Sequence, residues 1–216
     1  MKVSVVKNIL AANDRIAQEN RELFDRNGVF AINLMSSPGA GKTSLLEAMG
    51  RDLGQRLRIA VIEGDIQSTL DAERVAAAGL LAVQIETAGA CHLDANMVRS
   101  SLNDLDLAAL DLLVVENVGN LVCPAEFTVG EHRKAMLLSV TEGEDKPLKY
   151  PLMFQESQAL LISKIDLLPY VRCDLEKLKA AARTVNPGIR IFAVSTYTGE
   201  GLGEWHNWLL EQVGHP

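Results

Sequence analysis

The feature that most constrains this chain is a short glycine-rich loop between an apolar run and a helical pattern. Residues 36–43 read SSPGAGKT, directly after VFAINLM (29–35) and at the start of TSLLEAMGRDLG (43–54). The loop differs from the phosphate-binding pattern G-x-x-x-x-G-K-[ST] only at Ser36, which replaces the first glycine. Glycines in such a loop turn backbone N–H groups toward phosphate, and the helix start adds a positive dipole. The stretch therefore predicts binding of a nucleoside triphosphate.

The loop also supplies side chains with defined phosphate chemistry. A lysine at the position of Lys42 reaches the β and γ phosphates, and a hydroxyl at the position of Thr43 holds Mg²⁺. Lys42 is a predicted catalytic residue, because its charge offsets that of the transferred phosphate. The predicted phosphate contacts are Ser37, Gly39, Ala40, Gly41, Lys42, Thr43 and Ser44.

Apolar runs and helical patterns alternate along the rest of the chain. The runs are 29–35, 58–64, 81–87, 111–117, 133–140, 159–166 and 189–195. This alternation predicts an α/β fold with a mostly parallel seven-stranded P-loop NTPase sheet and helices on both faces. In such sheets ligands bind beyond the carboxyl ends of the strands. The polar, proline-containing segment 141–151 (TEGEDKPLKYP) predicts a surface loop.

Two segments favour guanine as the bound base. Residues 163–166 read SKID, and an aspartate at Asp166 accepts hydrogen bonds from N1–H and the exocyclic amine of guanine, whereas adenine presents an acceptor at N1. The stem of Lys164 would lie along the base. Ser195 and Thr196, followed by glycines, predict the loop that covers the base. Ser163 stands where such motifs usually carry asparagine, so the sequence leaves one hydrogen bond of the motif open.

Acidic residues at strand ends predict the magnesium site. Glu116 ends a strand, and Gly119 follows where its amide can sense the γ-phosphate. We expect Asp65 either to bind Mg²⁺ or to orient the attacking water as a second catalytic residue. Asp71 is a weaker magnesium candidate, since an acid at a helix N-terminus explains it equally well. No arginine finger or water-orienting glutamine follows Gly119, which predicts slow hydrolysis.

Residues 3–24 place apolar side chains at helical period and predict an amphipathic helix ending near Gly28. The expected organisation is this N-terminal helix over 1–28, followed by a P-loop GTPase domain over 29–216. The helix either docks a partner or packs on the sheet, and the sequence leaves both open.

Bulk composition excludes several classes of partner. The 216 residues include 21 basic and 28 acidic side chains, a net charge of −7 that argues against binding nucleic acid. No apolar run approaches the ~20 residues that span a bilayer. Charged residues also interrupt the N-terminal segment too early for the apolar region of a signal peptide. We therefore expect a cytoplasmic protein with no membrane partner.

Three residues predict a second metal site. Cys91 and His92 follow the third strand, and Cys123 follows the fourth, so all three should lie at the nucleotide edge of the sheet. Two sulfurs and one imidazole suit Zn²⁺ or Ni²⁺ and leave a coordination position open. The plainer alternative is a small structural thiol beside a surface imidazole. Cys173 is interpreted as a structural or incidental thiol.

Together SSPGAGKT, CHLDA, ENVGNLVCP, TEGEDKPLKYP and GEGLGEWHNWL resemble the hydrogenase nickel-incorporation GTPases of the HypB family, from about residue 3 to 210. The resemblance implies a GTP-dependent homodimer that works with the nickel-binding accessory protein HypA. Its acceptor would be the large subunit of [NiFe] hydrogenase. It also implies a metal site at the dimer interface, formed by the residues matching Cys91, His92 and Cys123.

Three other readings remain at this point. A urease-type accessory GTPase of the UreG kind shares the fold but carries Cys-Pro-His in place of the contiguous Cys91-His92. A small-molecule P-loop kinase would need an arginine-bearing lid, which the sequence does not suggest. A plain regulatory GTPase would have a structural Cys-His pair and metal binding that ignores nucleotide. Lys146 and Lys149 either reach nucleotide or a partner subunit or are simply solvated.

Overall fold

A seven-stranded sheet runs through the centre of the molecule. The structure, a computed structural model, describes residues 2–65, 70–87 and 89–214, with only the backbone described for 2–8 and 65. The strands are β1 (Phe30–Ser36), β2 (Ile59–Asp65), β3 (Leu81–Glu86), β4 (Leu112–Glu116), β5 (Arg133–Ser139), β6 (Ala159–Ser163) and β7 (Arg190–Ala193). Their order is β3-β2-β4-β1-β5-β6-β7, and each neighbouring pair is parallel. The predicted sheet is confirmed.

Helices connect the strands. They are α1 (Lys2–Asn27), α2 (Lys42–Leu53), α3 (Leu70–Ala77), α4 (Ala95–Ser101), α5 (Cys123–Glu126), α6 (Lys146–Lys149), α7 (Pro151–Glu156), α8 (Leu175–Val185) and α9 (Leu202–Gly214). Short 3₁₀ turns cover Leu102–Asp104, Leu107–Ala109, Val140–Glu142 and Ile165–Tyr170. Within the described ranges, none of these helices has both the length and the apolar character needed to cross a bilayer.

The prediction of a surface loop over 141–151 is wrong in its central part. Pro147 lies in the first turn of α6, and Pro151 is the first residue of α7. Proline is tolerated there because the N–H groups of a first helical turn have no intrahelical partner, so losing one costs little. The sequence pattern treated both prolines as loop signals, although they begin helices.

Both faces of the sheet are covered, as the alternation of side chains in β1 demonstrates. Ile32 and Leu34 point to one face, into a cluster with residues of α2 and α9. Ala31 packs on the other face with α1 and α4, and Met35 packs there with α7 and α8. All four side chains are at most 1% exposed. Burying a large apolar side chain stabilises the fold by about 1.5–3 kcal/mol.

The N-terminal helix packs on the sheet through a mixed apolar and polar stripe. The buried residues of this stripe are Asn13, Ala17, Asn20 and Phe24, spaced so that they share one helical face. The helix ends where Gly28 takes a φ of 68° and the Val29 N–H bonds the Phe24 carbonyl at 3.0 Å. This left-handed glycine ending satisfies carbonyls of the last turn. The predicted helix over 3–24 that ends near Gly28 is confirmed.

Candidate nucleotide and metal sites

A cavity of about 470 Å³ lies at the carboxyl ends of the central strands. Predicted site residues that line it are Gly39, Gly41, Lys42, Thr43, Ser44, Asp71, Glu116, Gly119 and Lys164. Ser37, Ala40, Asp166, Ser195 and Thr196 lie outside its wall. The side chain of Asp65 lies outside the part of the chain that the structure describes, so its role stays a prediction. The fold thus gathers residues from four separate sequence segments around one cavity.

The phosphate loop has the backbone geometry that its glycines predict. Gly39 has a φ of 74° and Gly41 a φ of 104°, values that side chains other than glycine rarely allow. Gly41 is the N-cap of α2, so the next residue, Lys42, begins the helix. Lys42 Nζ donates to Ser36 Oγ at 2.9 Å and lies 3.9 Å from Glu116 Oε1. Ser36, the departure from the motif, is therefore a hydrogen-bond partner of the lysine.

The segment after β4 approaches the phosphate loop closely. A Cβ atom built on Gly119 would lie 3.0 Å from the Pro38 backbone, closer than nearly all side-chain contacts in proteins. Only glycine fits at this position without displacing one segment. The phosphate loop and the segment that carries Glu116 and Gly119 are therefore in direct contact.

The base-side segment is bonded to the phosphate loop. Ser163 Oγ donates to the Ala40 carbonyl at 2.6 Å, and Lys164 Nζ donates to the Gly39 carbonyl at 2.7 Å. Lys164 has a φ of 60°, a left-handed conformation that is uncommon outside glycine. The serine that replaces the expected asparagine at Ser163 therefore binds the phosphate loop through its hydroxyl.

The residues expected to contact the base lie together. Ser195 Oγ donates to Asp166 Oδ1 at 2.6 Å, and Ser195 is fully buried. This bond uses one lone pair of the Asp166 carboxylate and orients it, which leaves the remaining lone pairs for a base. Thr196 is half-buried beside Ser195.

The acidic residues differ in their surroundings. Glu116 is only 4% exposed, and Glu63 of β2 pairs with it in register and is 2% exposed. Asp71 lies in the first turn of α3, with Oδ1 at 3.2 Å from Arg74 Nη1. Both sequence explanations for Asp71, a cavity ligand and an acid at a helix start, are compatible with this position.

Cys91, His92 and Cys123 form a cluster whose potential ligand atoms all lie within 4.8 Å of one another. The two sulfur atoms are 3.0 Å apart, and Cys91 Sγ lies 3.5 Å from His92 Nδ1. Cys91 is exposed, whereas Cys123 is the first residue of α5 and half-buried. The structure therefore brings the two loops together at one sheet edge, and the cluster presents an S, N, S donor set.

The surroundings of the cluster set the protonation of its members. The His92 ring packs on Phe127 with centroids 4.0 Å apart, and burial lowers the pKa of His92. The adjacent Cys91 thiol, and then burial, raise the pKa of Cys123. A neutral imidazole is the form that binds a metal, while a thiol must lose its proton to do so.

Comparison with known proteins identifies the family of this chain. The model of the CobW/HypB/UreG nucleotide-binding domain matches residues 30–193. Hydrogenase maturation factor HypB of Azotobacter vinelandii is 53% identical over 210 residues, which cover 97% of this chain and 69% of that protein. The chain belongs to the HypB family.

Solved HypB structures share the fold of this family member closely. HypB from Archaeoglobus fulgidus superposes with a TM-score of 0.89 at 39% identity, covering 94% of this chain and all of that one. HypB from Helicobacter pylori, solved in complex with nickel, superposes with a TM-score of 0.90 at 38% identity, covering 94% and 95% of the two chains. The nucleotide-binding fold and the family assignment therefore rest on both sequence and structure.

Sequence reasoning missed several residues of the site in this HypB-family chain. Glu63, Arg74 and Asn117 line the cavity, and the Ser37 hydroxyl donates to the Glu142 carboxylate. A signal existed for Glu63, an acid inside an otherwise apolar strand. Arg74 and Glu142 lie far from the phosphate loop in sequence, and nothing in the TEGEDKPLKYP motif that contains Glu142 indicates a bond to Ser37, so the folded chain was needed to identify both.

Cys173, Lys146 and Lys149, which the sequence also singled out, belong to neither the nucleotide cavity wall nor the metal cluster. Cys173 packs against the apolar cluster under α8, and burial raises its pKa. Lys149 forms an ion pair with Asp145, and Lys146 lies over the Tyr150 ring at 5.4 Å. Neither lysine lines the nucleotide cavity of the described chain.

Proposed function

We propose that this chain is a GTP-hydrolysing nickel metallochaperone that acts in the maturation of [NiFe] hydrogenase. One observation carries the proposal: a phosphate-loop cavity and a Cys91, His92, Cys123 cluster lie at the same sheet edge, joined by the segment from Glu116 to Cys123. Family membership supports it, since the relatives bear the name hydrogenase maturation factor. Nickel is the cargo of this activity, and GTP is its substrate.

The nucleotide chemistry follows from the cavity wall. Mg²⁺, when bound, neutralises charge on the β and γ phosphates, and the Thr43 hydroxyl and Glu116 carboxylate are the oxygen ligands it prefers. We assign Asp65 and Asp71 to the same ion on sequence grounds. Lys42 would stabilise the charge that develops on the transferred phosphate.

Hydrolysis by one subunit is proposed to be slow. Arg74 is the arginine of the cavity wall, and its guanidinium is held by Glu47 at 2.9 Å and by Asp71 at 3.2 Å. An arginine held in two ion pairs has to leave them before it can reach a phosphate. Slow hydrolysis suits a switch, because the GTP-bound state then lasts long enough to act.

Guanine selection is assigned to the base-side residues. The carboxylate of Asp166, oriented by Ser195, would accept the two N–H groups of the guanine edge. Lys164 would cover the base with its stem, and Thr196 would close the loop beside Ser195.

The metal cluster is proposed to be completed by a second copy of the chain. Cys91 is exposed, and the adjacent apolar Val122 is 51% exposed, so the open side of the cluster faces an uncovered surface. GTP would close a homodimer that joins two clusters, and hydrolysis would release nickel toward the hydrogenase large subunit. We propose a HypA-type protein as the nickel-binding partner, and the free thiols suit action in the reducing cytoplasm.

The test is equilibrium dialysis of Ni²⁺ against the chain, with GDP and with a non-hydrolysable GTP analogue, on the native protein and on Cys123→Ser. Cys173→Ser is the matched control, since it removes a thiol outside the cluster. We expect nickel affinity to differ by about fivefold or more between nucleotides, and Cys123→Ser alone to abolish binding. Equal affinity with both nucleotides, or unchanged binding in Cys123→Ser, would contradict the proposal.

A further inference from the structure

The residue directly after the Cys-His pair connects the metal cluster to the nucleotide cavity. Leu93 is fully buried, and its backbone N–H donates to Asn117 Oδ1 at 3.0 Å. Asn117 lines the nucleotide cavity between Glu116 and Val118. One hydrogen bond therefore spans from the segment that faces the nucleotide to the backbone that carries His92.

Three hydrogen bonds hold the Asn117 side chain in place. It is 1% exposed, and its Oδ1 also accepts the Val118 N–H at 3.0 Å, so both lone pairs of that oxygen are used. Its Nδ2 donates to Asn33 Oδ1 at 3.2 Å, in the strand that leads to the phosphate loop. Moving the backbone at 117–118 would move this amide and strain or break the bond to Leu93.

The side chain of Leu93 makes a second contact with the cavity wall. A Cβ atom built on Gly64 would lie 2.7 Å from Leu93 Cγ, so the leucine rests directly on the backbone of Gly64. Gly64 lines the cavity at the end of β2. Two segments of the cavity wall thus converge on the residue after His92.

Other asparagines hold the same metal-bearing segments from outside the nucleotide site. Asn13 of α1 accepts the Ala95 N–H at 2.9 Å and donates to the Thr128 carbonyl at 2.8 Å. Asn20 donates to the Ala95 carbonyl at 2.9 Å and to the Val129 carbonyl at 3.0 Å. These two side chains join the segments after His92 and after Cys123, and neither lines the cavity.

We propose that Asn117 is the positioning residue that couples nucleotide state to the metal cluster, through its hydrogen bond to the Leu93 backbone, while Asn13 and Asn20 form a frame indifferent to nucleotide. The inference deepens the proposed function and rests on it. It separates two roles: the frame sets how well nickel binds in every state, and Asn117 sets how much that affinity changes with nucleotide.

The experiment measures Ni²⁺ affinity with GDP and with a non-hydrolysable GTP analogue, for the native chain, Asn117→Ala and Asn20→Ala. Asn186→Ala is the matched control, because the Asn186 side chain bonds the Phe154 and Ser157 carbonyls, both at 2.9 Å, and bonds neither of the segments that carry the metal-ligand candidates. The nickel–thiolate charge-transfer absorption is recorded for each as a signature of the bound site.

Asn117→Ala should bring the two affinities within about twofold of each other, below the roughly fivefold ratio that marks coupling. Asn20→Ala should weaken nickel binding by the same factor with both nucleotides and keep their ratio. Asn186→Ala should change neither affinity. If Asn117→Ala keeps the ratio of nickel affinities seen in the native chain, the inference is overturned and the proposed function stands. If the native chain itself has equal nickel affinity with both nucleotides, both are overturned.

A second measurement needs no substitution. Amide hydrogen exchange at Leu93 in the native chain should be slower with the GTP analogue than with GDP, since an ordered 116–119 segment would hold the Asn117 acceptor in place. Exchange at the Ala95 amide, which Asn13 holds, should not respond to nucleotide. Equal exchange at Leu93 in both states would also overturn the inference, even if Asn117→Ala failed to fold.

Discussion

The nucleotide half and the metal half of this site are held together in different ways. In the nucleotide half, site residues bond one another, in the pairs Lys42–Ser36, Lys164–Gly39 and Ser195–Asp166. In the metal half, the backbone that carries the ligands is held from outside, by Asn13, Asn20 and Asn117. Substitutions that only remove contacts to nucleotide should therefore leave nickel affinity without nucleotide unchanged, while the metal half should respond to residues that touch no metal.

The largest effect that would sharpen this comparison is expected from Lys42→Met, which keeps the stem and removes the charge. Loss of charge-assisted bonds to phosphate should weaken binding of a GTP analogue by about 100-fold, since such bonds contribute roughly 1.5–3 kcal/mol each. Calorimetric titration measures this loss, with the exposed Lys177→Met as control. Nickel affinity without nucleotide should stay unchanged; a parallel fall there would break the comparison.

A smaller effect is expected at the base. Asp166→Asn still offers an oxygen to Ser195 but presents a donor where guanine has its amine, so GDP affinity should fall by about tenfold. The affinity for a xanthine nucleotide, which has a carbonyl in place of that amine, should fall less than the GDP affinity or should rise. Ser195→Ala removes only the bond that orients the carboxylate and leaves the carboxylate itself to accept from the base, so it should weaken GDP binding less, by about threefold. Competition binding of GDP and XDP measures both, and an equal loss for the two bases would contradict the assignment of Asp166.

The smallest effect concerns His132, which belongs to neither half. Its Nδ1 accepts the Ala31 N–H at 2.9 Å, its Nε2 bonds Asp25 at 2.8 Å, and burial lowers its pKa from the ordinary value of 6.5. The unfolded chain therefore binds more protons at acidic pH, so the free energy of unfolding should fall as the pH drops below about 6.5.

In His132→Gln, the free energy of unfolding should fall less steeply between about pH 7 and 5, as measured by urea unfolding at a series of pH values. Some dependence of the free energy of unfolding on pH should remain in this variant, because burial also lowers the pKa of His206. An unchanged pH dependence of the free energy of unfolding in His132→Gln would contradict this assignment.

Much of the fold and the phosphate loop was predictable from sequence, because the patterns that specify them are local. The phosphate loop lies between one strand and the next helix, so its spacing specifies which amides and side chains meet the phosphates. The helix over 3–24 and its glycine ending followed from periodicity in the same way. The prediction over 141–151 failed because proline in the first turn of a helix and proline in a loop look alike in sequence.

Local patterns specify the order of the motifs along the chain: a phosphate loop, a Cys-His pair, a second cysteine and a base motif, each just after a strand. The folded sheet is what brings the sulfur atoms of Cys91 and Cys123 to 3.0 Å and places Asn117 against the Leu93 backbone. Asn117 bonds a backbone group 24 positions away, and Asn20 bonds one 109 positions away. In the sequence, both look like any other asparagine. Their roles depend on which backbone groups the folded sheet brings within hydrogen-bond distance, and no local pattern records that distance.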